Sequence, residues 1–237
     1  MKKIIFLALV IIGIANAGAQ INLDKIKNTV SGSNSGNNLS NDEVIKGLRE
    51  ALTVGTNNAT SLVSKTDGFY KNPSIKIPFP QDAIRVKEVC ESIGMKPQVD
   101  KFVLTLNRAA EEASKEAAPI FINAIKSMSV SDGFSILKGA DNAATKYLQD
   151  KTYSELKQKF KPIVKNALTK VEITKYWSPL ITTYNKTPGV QKMNPDLEEY
   201  VTIKALDGLF KMIAQEELKI RKDPAARITD LLKKVFG

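Results

Sequence analysis

Residues 194–220, NPDLEEYVTIKALDGLFKMIAQEELKI, decide the fold class. Leu197, Val201, Ala205, Leu209, Met212, Ile213 and Ile220 recur at three- and four-residue steps, the spacing that gathers side chains on one face of an α-helix. Leu206 and Phe210 widen that face, so the stretch predicts a central helix covered from more than one side. Asn194 and Pro195 read as its N-cap and first helical position.

Outward from this helix the same period continues. Asp223-Pro224 repeats the start chemistry, and Ile228, Leu231, Leu232 and Val235 give a last helix an apolar face. Upstream, Thr152-Tyr153-Ser154-Glu155 has the spacing of a capping box and predicts a helix burying Leu156, Phe160, Ile163, Val164, Ala167 and Val171. Val99 to Met128 carries a long apolar stripe that Pro119 kinks or restarts. Ser40-Asn41-Asp42-Glu43 is a second capping box, and its helix runs to about Lys65. The one stretch with strand character is Ser74 to Pro80, where Ile75, Ile77 and Phe79 alternate with other residues. Its two prolines demote it to an extended arm or an edge strand. The expectation is an all-α, single multi-helix domain of roughly eight to ten helices, with one short extended arm near residues 74–80.

Ahead of that domain, Lys2-Lys3, the apolar run Ile4 to Ile14 and the small residues near Ala17 or Ala19 predict a cleaved signal peptide over residues 1–19. The run is too short to cross a bilayer, which takes about 20 helical residues. Residues 20–38 read as a short amphipathic stretch, with Leu23, Ile26 and Val30 on one side, followed by a flexible Ser/Gly/Asn linker. The folded domain is then 39–237, and the protein is expected to be exported to a periplasm.

Composition removes most familiar chemistry. The 237-residue chain has no histidine and one cysteine, which excludes His-based acid–base pairs, Ser-His-Asp and Cys-His triads, imidazole zinc sites and an internal disulfide. Val86, Val89, Cys90 and Ile93 share a helical spacing, so Cys90 reads as an inert thiol on a packed face. Glu111/Glu112, Glu198/Glu199 and Glu216/Glu217 are adjacent carboxylates, which on a helix point about 100° apart and read as solvated faces. No calcium loop or glycine-rich phosphate loop is present. No catalytic residue, metal or cofactor is expected.

Several pieces carry a resemblance. Ile75-Lys76-Ile77-Pro78, Asn107-Arg108-Ala109-Ala110-Glu111, and Ala124-Ile125 through Met128 to Ile136-Leu137-Lys138-Gly139 form the first set. The second is Tyr200-Val201-Thr202, Lys204-Ala205-Leu206-Asp207-Gly208-Leu209-Phe210, Glu216-Glu217, Ile220-Arg221, Asp223-Pro224-Ala225-Ala226-Arg227 and the ending Leu231 to Gly237. Together they resemble the bacterial DUF4197 family over about residue 40 to the end. The resemblance implies an exported helical domain and transfers no catalytic residue.

The charges give the remaining candidates. The formal charge of +10 falls to about +8 once Lys2 and Lys3 are removed. Arg221 and Arg227 sit among Glu216, Glu217, Asp223 and Asp230, either as a clasp locking the last helix or as an anion or partner site. Lys157, Lys161 and Lys165 form a basic stripe, read as a solvated helix surface or a ligand-binding face. Gly208, in mid-helix, predicts close approach of another helix or of a ligand. Nucleic acid is not expected, because no basic run interleaves with aromatics. The function these features favour is a non-enzymatic periplasmic binding or envelope-support module for an apolar ligand, an anionic lipid or an envelope protein. The alternative is a cell-wall enzyme of lytic-transglycosylase type, to whose Glu-Ser and later Tyr-Asn pieces Glu91-Ser92 and Tyr184-Asn185 are similar, without the segment expected between them.

Overall fold

The computed structural model describes residues 40–236 apart from 171–176, 178–180, 183–184, 187, 190–191, 193–195 and 228, and apart from the side chains of Val89, Leu231, Leu232 and Phe236. The expected signal peptide and linker lie outside the described residues, as do Val171, Tyr184, Asn194, Pro195 and Ile228. The described residues are all-α and contain no strand.

Helix α1 (Asn41–Ser64) starts as predicted: Ser40 accepts from the Glu43 amide through Oγ, and the Glu43 carboxylate accepts from the Ser40 amide at 2.8 Å. After an extended arm come α2 (Ile84–Ser92), α3 (Lys96–Ser114) and α4 (Ala117–Lys126). The long stripe is thus two helices. Pro119 sits in the first turn of α4, where its missing N–H would have had no intrahelical partner. Helix α5 (Val130–Lys138) follows a capping box that the sequence reading missed, in which Ser129 Oγ accepts from the Asp132 amide at 3.1 Å.

Helix α6 (Ala143–Leu168) corrects another expectation. Thr152 opens no helix; it lies in the middle of α6, 1% exposed, and donates its hydroxyl to the Leu148 carbonyl at 2.6 Å. Ala144 and Leu148 carry the buried stripe of Leu156 and Phe160 back by two turns, so the local spacing of Thr152 and Glu155 mimics a cap without being one. Helix α7 (Leu197–Lys222) is the central element and packs against α1, α3 and α6. Its N-cap is Asp196, which accepts from the Glu199 amide at 2.8 Å, two residues later than the Asn194 start expected. Asp223-Pro224 does not start the last helix as expected: Asp223 caps a single 3-10 turn, Pro224–Ala226, and α8 (Asp230–Phe236), which packs on α1, begins further on.

The core is one continuous set of side chains from α1, the arm, α3, α4, α6 and α7. Phe79, Phe102 and Trp177 form an aromatic cluster with centroids 5.0–5.9 Å apart. The Ala109–Ala117 region brings helices close, with Ala109, Ala110, Ala113 and Ala117 all fully buried.

Candidate functional site

The arm between α1 and α2 is where separated pieces of sequence converge. Ile75, Ile77 and Phe79 are buried while Lys76 and Pro78 are exposed, the alternation that the sequence predicted. Among the described residues no strand pairs with this arm. The fully buried Asn107 of α3 instead accepts from the Ile77 amide through Oδ1 and donates from Nδ2 to the Ile77 carbonyl, both at 2.8 Å. Four residues on, Glu111 is 3% exposed and accepts from the Phe69 and Tyr70 amides at 3.1 and 3.2 Å. Arg108 holds Glu111 at 2.6 Å and Asp67 at 2.7 Å, fixing Asp67 at φ +68°. Lys71 and Arg108 hold the Asp67 carboxyl below its ordinary value by hydrogen bonding.

The loop so clamped lies on α7 at Gly208. A Cβ built there would be 2.6 Å from Phe69 Cε1 and 3.2 Å from Ile75 Cβ. Close approach is therefore what this glycine provides, but the approaching group is a loop and arm rather than the helix expected. Tyr200 on the same helix donates to the Pro78 carbonyl at 3.3 Å, and burial pushes its phenol up to about 12.

The second constellation is at the other end of α7. Glu217 accepts from the Ala144 and Thr145 amides at 3.0 and 2.8 Å and from the Thr145 hydroxyl at 2.8 Å, so a carboxylate from α7 caps the start of α6. Arg221 pairs with Glu217 at 2.8 Å and donates to the Ile136 carbonyl at the end of α5. Among the described residues Arg227 bridges no carboxylate; it donates to the Ile220 and Arg221 carbonyls, both at 3.1 Å, closing the end of α7. The clasp thus ties α7 to α5 and α6. The adjacent carboxylates also differ from the solvated faces expected: Glu111, Glu216 and Glu217 are 3%, 6% and 8% exposed. Their partners explain this, because each has N–H donors aimed at it, Glu216 receiving Asn58 and Lys219.

The predicted lysine stripe faces the first turn of α7. Lys157 pairs with Glu199, Lys161 with both Glu199 and Asp196, and Lys165 with Glu198 at 4.0 Å. These charges hold Glu199 below its ordinary range, chiefly through Lys157, and hold Lys161 above its own, chiefly through Glu199. The groove that the three lysines line with Glu198 and Glu199, about 620 Å³ and open to solvent, keeps a small positive excess.

The cleft between α1, α6 and α7, lined by Leu52, Gly55, Ile213 and Ile220 among others, has a volume of about 30 Å³. That holds one or two waters, whereas pockets for drug-sized ligands run to hundreds of Å³. No metal-binding group of three His, Cys, Asp or Glu side chains occurs among the described residues. Glu91 is partly exposed and pairs with Lys87 at 3.5 Å, on the surface of α2.

Residues 38–237 match a family model described as protein of unknown function (DUF4197). No curated protein and no solved structure matches the chain.

Proposed function

The chain belongs to the DUF4197 family, and from that premise we propose that it is an exported, periplasmic binding or envelope-support module that works through its surface. One observation carries this reading. The polar groups that would equip an active site or a ligand cavity are already engaged within the fold: Glu111 and Glu217 receive backbone amides and an arginine, and Asn107 is bonded on both sides of its amide. A carboxylate bonded in this way is not poised for proton transfer.

The cleft between α1, α6 and α7 is too small for a lipid-sized apolar ligand, and the surface position of Glu91 argues against transglycosylase chemistry, whose acid needs an apolar pocket to stay protonated. Export is supported by Lys2-Lys3, the apolar run Ile4 to Ile14 and the small residues at 15–19. No helix among the described residues is long and apolar enough to cross a membrane.

Photo-crosslinking in intact cells, with probes placed over the exposed surface, is expected to trap adducts with an envelope component at a contiguous set of positions. Native mass spectrometry of the same protein is expected to show no retained small molecule. A stoichiometric apolar ligand would overturn the reading, as would altered muropeptides that depend on Glu91.

A further inference from the structure

Lys157, Lys161 and Lys165 stand about one turn apart along α6, and the packing of α7 against α6 makes that row one wall of a groove. Glu198 and Glu199, in the first turn of α7, line it from the other side. At about 620 Å³ the groove is of ligand size, whereas the cleft between α1, α6 and α7 is not.

The lining limits what fits. Among the described residues, all that line the groove except Pro162 are polar or charged, and the charges are of both signs. An apolar molecule finds nothing to bury against there, and a simple anion meets two carboxylates beside the three ammonium groups. Lys157 and Lys165 lie about 12 Å apart along the helix axis, a length that an extended peptide covers in about four residues.

The ion pairs across the groove do not close it to a ligand. The side chains of Lys157, Lys161 and Lys165 are 38%, 43% and 61% exposed, and Lys165 and Glu198, at 4.0 Å, form the longest of the pairs. Exposed pairs of this kind contribute little to stability, so exchanging one partner for a ligand's charge costs little. The groove also holds an acceptor that the helix leaves unused. Pro162, inside α6, has no N–H, so the Gln158 carbonyl one turn back lacks its helical donor, and both residues line the groove.

We propose that the groove between α6 and the start of α7 binds a short hydrophilic peptide segment that carries both carboxylate and ammonium groups. Its carboxylates meet Lys161 and Lys165, an ammonium group meets Glu198, and a backbone N–H meets the Gln158 carbonyl. Such binding is exchangeable and weakened by salt. The proposal rests on the reading that the protein works through its surface, and it names the place and the chemistry of the partner.

The test is isothermal titration of the full chain, as purified from cells, with three tetrapeptides blocked at both ends: Glu-Ala-Glu-Lys, Glu-Ala-Glu-Glu and Gln-Ala-Gln-Gln. The mixed-charge peptide is expected to bind saturably, about fivefold or more tighter than the acidic one, and the neutral peptide not to bind. Lys161→Ala with Lys165→Ala is expected to weaken binding about fivefold or more. Lys65→Ala with Lys126→Ala, the same change in net charge at the ends of α1 and α4, is expected to leave it intact. Pro162→Ala, which gives the Gln158 carbonyl its helical donor, is expected to weaken binding about twofold without lowering the melting temperature. Circular dichroism melts check that each variant is folded. No binding of the mixed-charge peptide, tighter binding of the acidic one, or equal weakening by both lysine pairs overturns the proposal, and unchanged affinity in Pro162→Ala overturns the role of the Gln158 carbonyl. If the peptides fail while crosslinks form elsewhere on the surface, the groove proposal falls and the surface reading stands. A stoichiometric apolar ligand in native mass spectrometry removes the surface reading itself.

Discussion

Asn107 and Ile77 exchange two hydrogen bonds of 2.8 Å each, so that one side-chain amide does for the arm what a neighbouring strand would do in a sheet. The amide has the donor and acceptor that a peptide group has, in the same spacing. Replacing Asn107 by Leu removes both bonds and leaves the Ile77 N–H and C=O buried without partners. A loss of about 3 kcal/mol is expected, from about 1–3 kcal/mol per unsatisfied group, read as a lower urea midpoint. A loss below about 1 kcal/mol would show that the arm finds other partners.

Glu217 and Arg221 should behave as one unit. Glu217→Ala leaves two amides and a guanidinium uncompensated and is expected to cost about 3 kcal/mol, while Arg227→Ala, removing donors from two part-buried helix-end carbonyls, is expected to cost about 1 kcal/mol. The double-mutant cycle of Glu217 with Arg221 is expected to show coupling of about 1 kcal/mol or more. Additive effects would mean that the clasp is not a coupled pair.

Gly208→Ala sets two effects against each other. Helix propensity favours alanine by about 1 kcal/mol, and the clash with Phe69 at 2.6 Å opposes it in a fully packed place. The clash is expected to win, with net destabilisation of about 1–2 kcal/mol. Phe69→Leu, harmful alone, is expected to cost less in the Gly208→Ala background because it relieves the contact. If Gly208→Ala stabilises the protein, the close approach is not real.

Stability should be level near neutrality and fall at both ends. With no histidine in the chain, no side chain of ordinary pKa titrates between about pH 5.5 and 8. On the acid side, Glu199 and Asp67 are lowered in the folded state by their cationic partners, so their contribution is full above the unfolded carboxyl range and is lost as pH falls through the folded values. Urea midpoints should therefore drop below about pH 4.5. A decline that begins near pH 6 would contradict this.

On the alkaline side, Tyr200 is raised to about 12 by burial, with Asp82 adding to it. Its contribution is full below the unfolded value of about 10 and is lost between there and the folded one, at about 1.4 kcal/mol per pH unit. The phenolate absorbance of the folded wild type minus that of Tyr200→Phe should isolate a group titrating near 12. A difference titration centred near 10 would mean that this phenol is not buried.

Much of the fold was legible because its signals are local. The Ser40 capping box, the helical period of α7 and the alternation of Ile75, Ile77 and Phe79 each lie within a few residues, and each stands as read. Where the local signal was ambiguous the reading failed. Thr152 has cap spacing inside a helix, while Ser129, with the same chemistry and an Asp at the third position, is a true cap. The site was less legible. Arg221 and Glu217 were visible as a charged cluster, but Asn107 stood only within a family-like motif and Glu111 read as half of a solvated carboxylate pair, because their partners lie 30 and 42 residues away.

The sequence by itself therefore determined the helical class, the approximate extent of the elements and the chemistries that an absent histidine forbids. These follow from periodicity, capping residues and composition, which need no knowledge of neighbours. Tertiary structure alone decided which charges are engaged: that Lys157, Lys161 and Lys165 meet carboxylates at the start of α7, and that Glu111, Glu216 and Glu217 are buried. The physical reason is that the state of a charged side chain depends on what packs within a few Å of it, and in this protein those neighbours come from other helices.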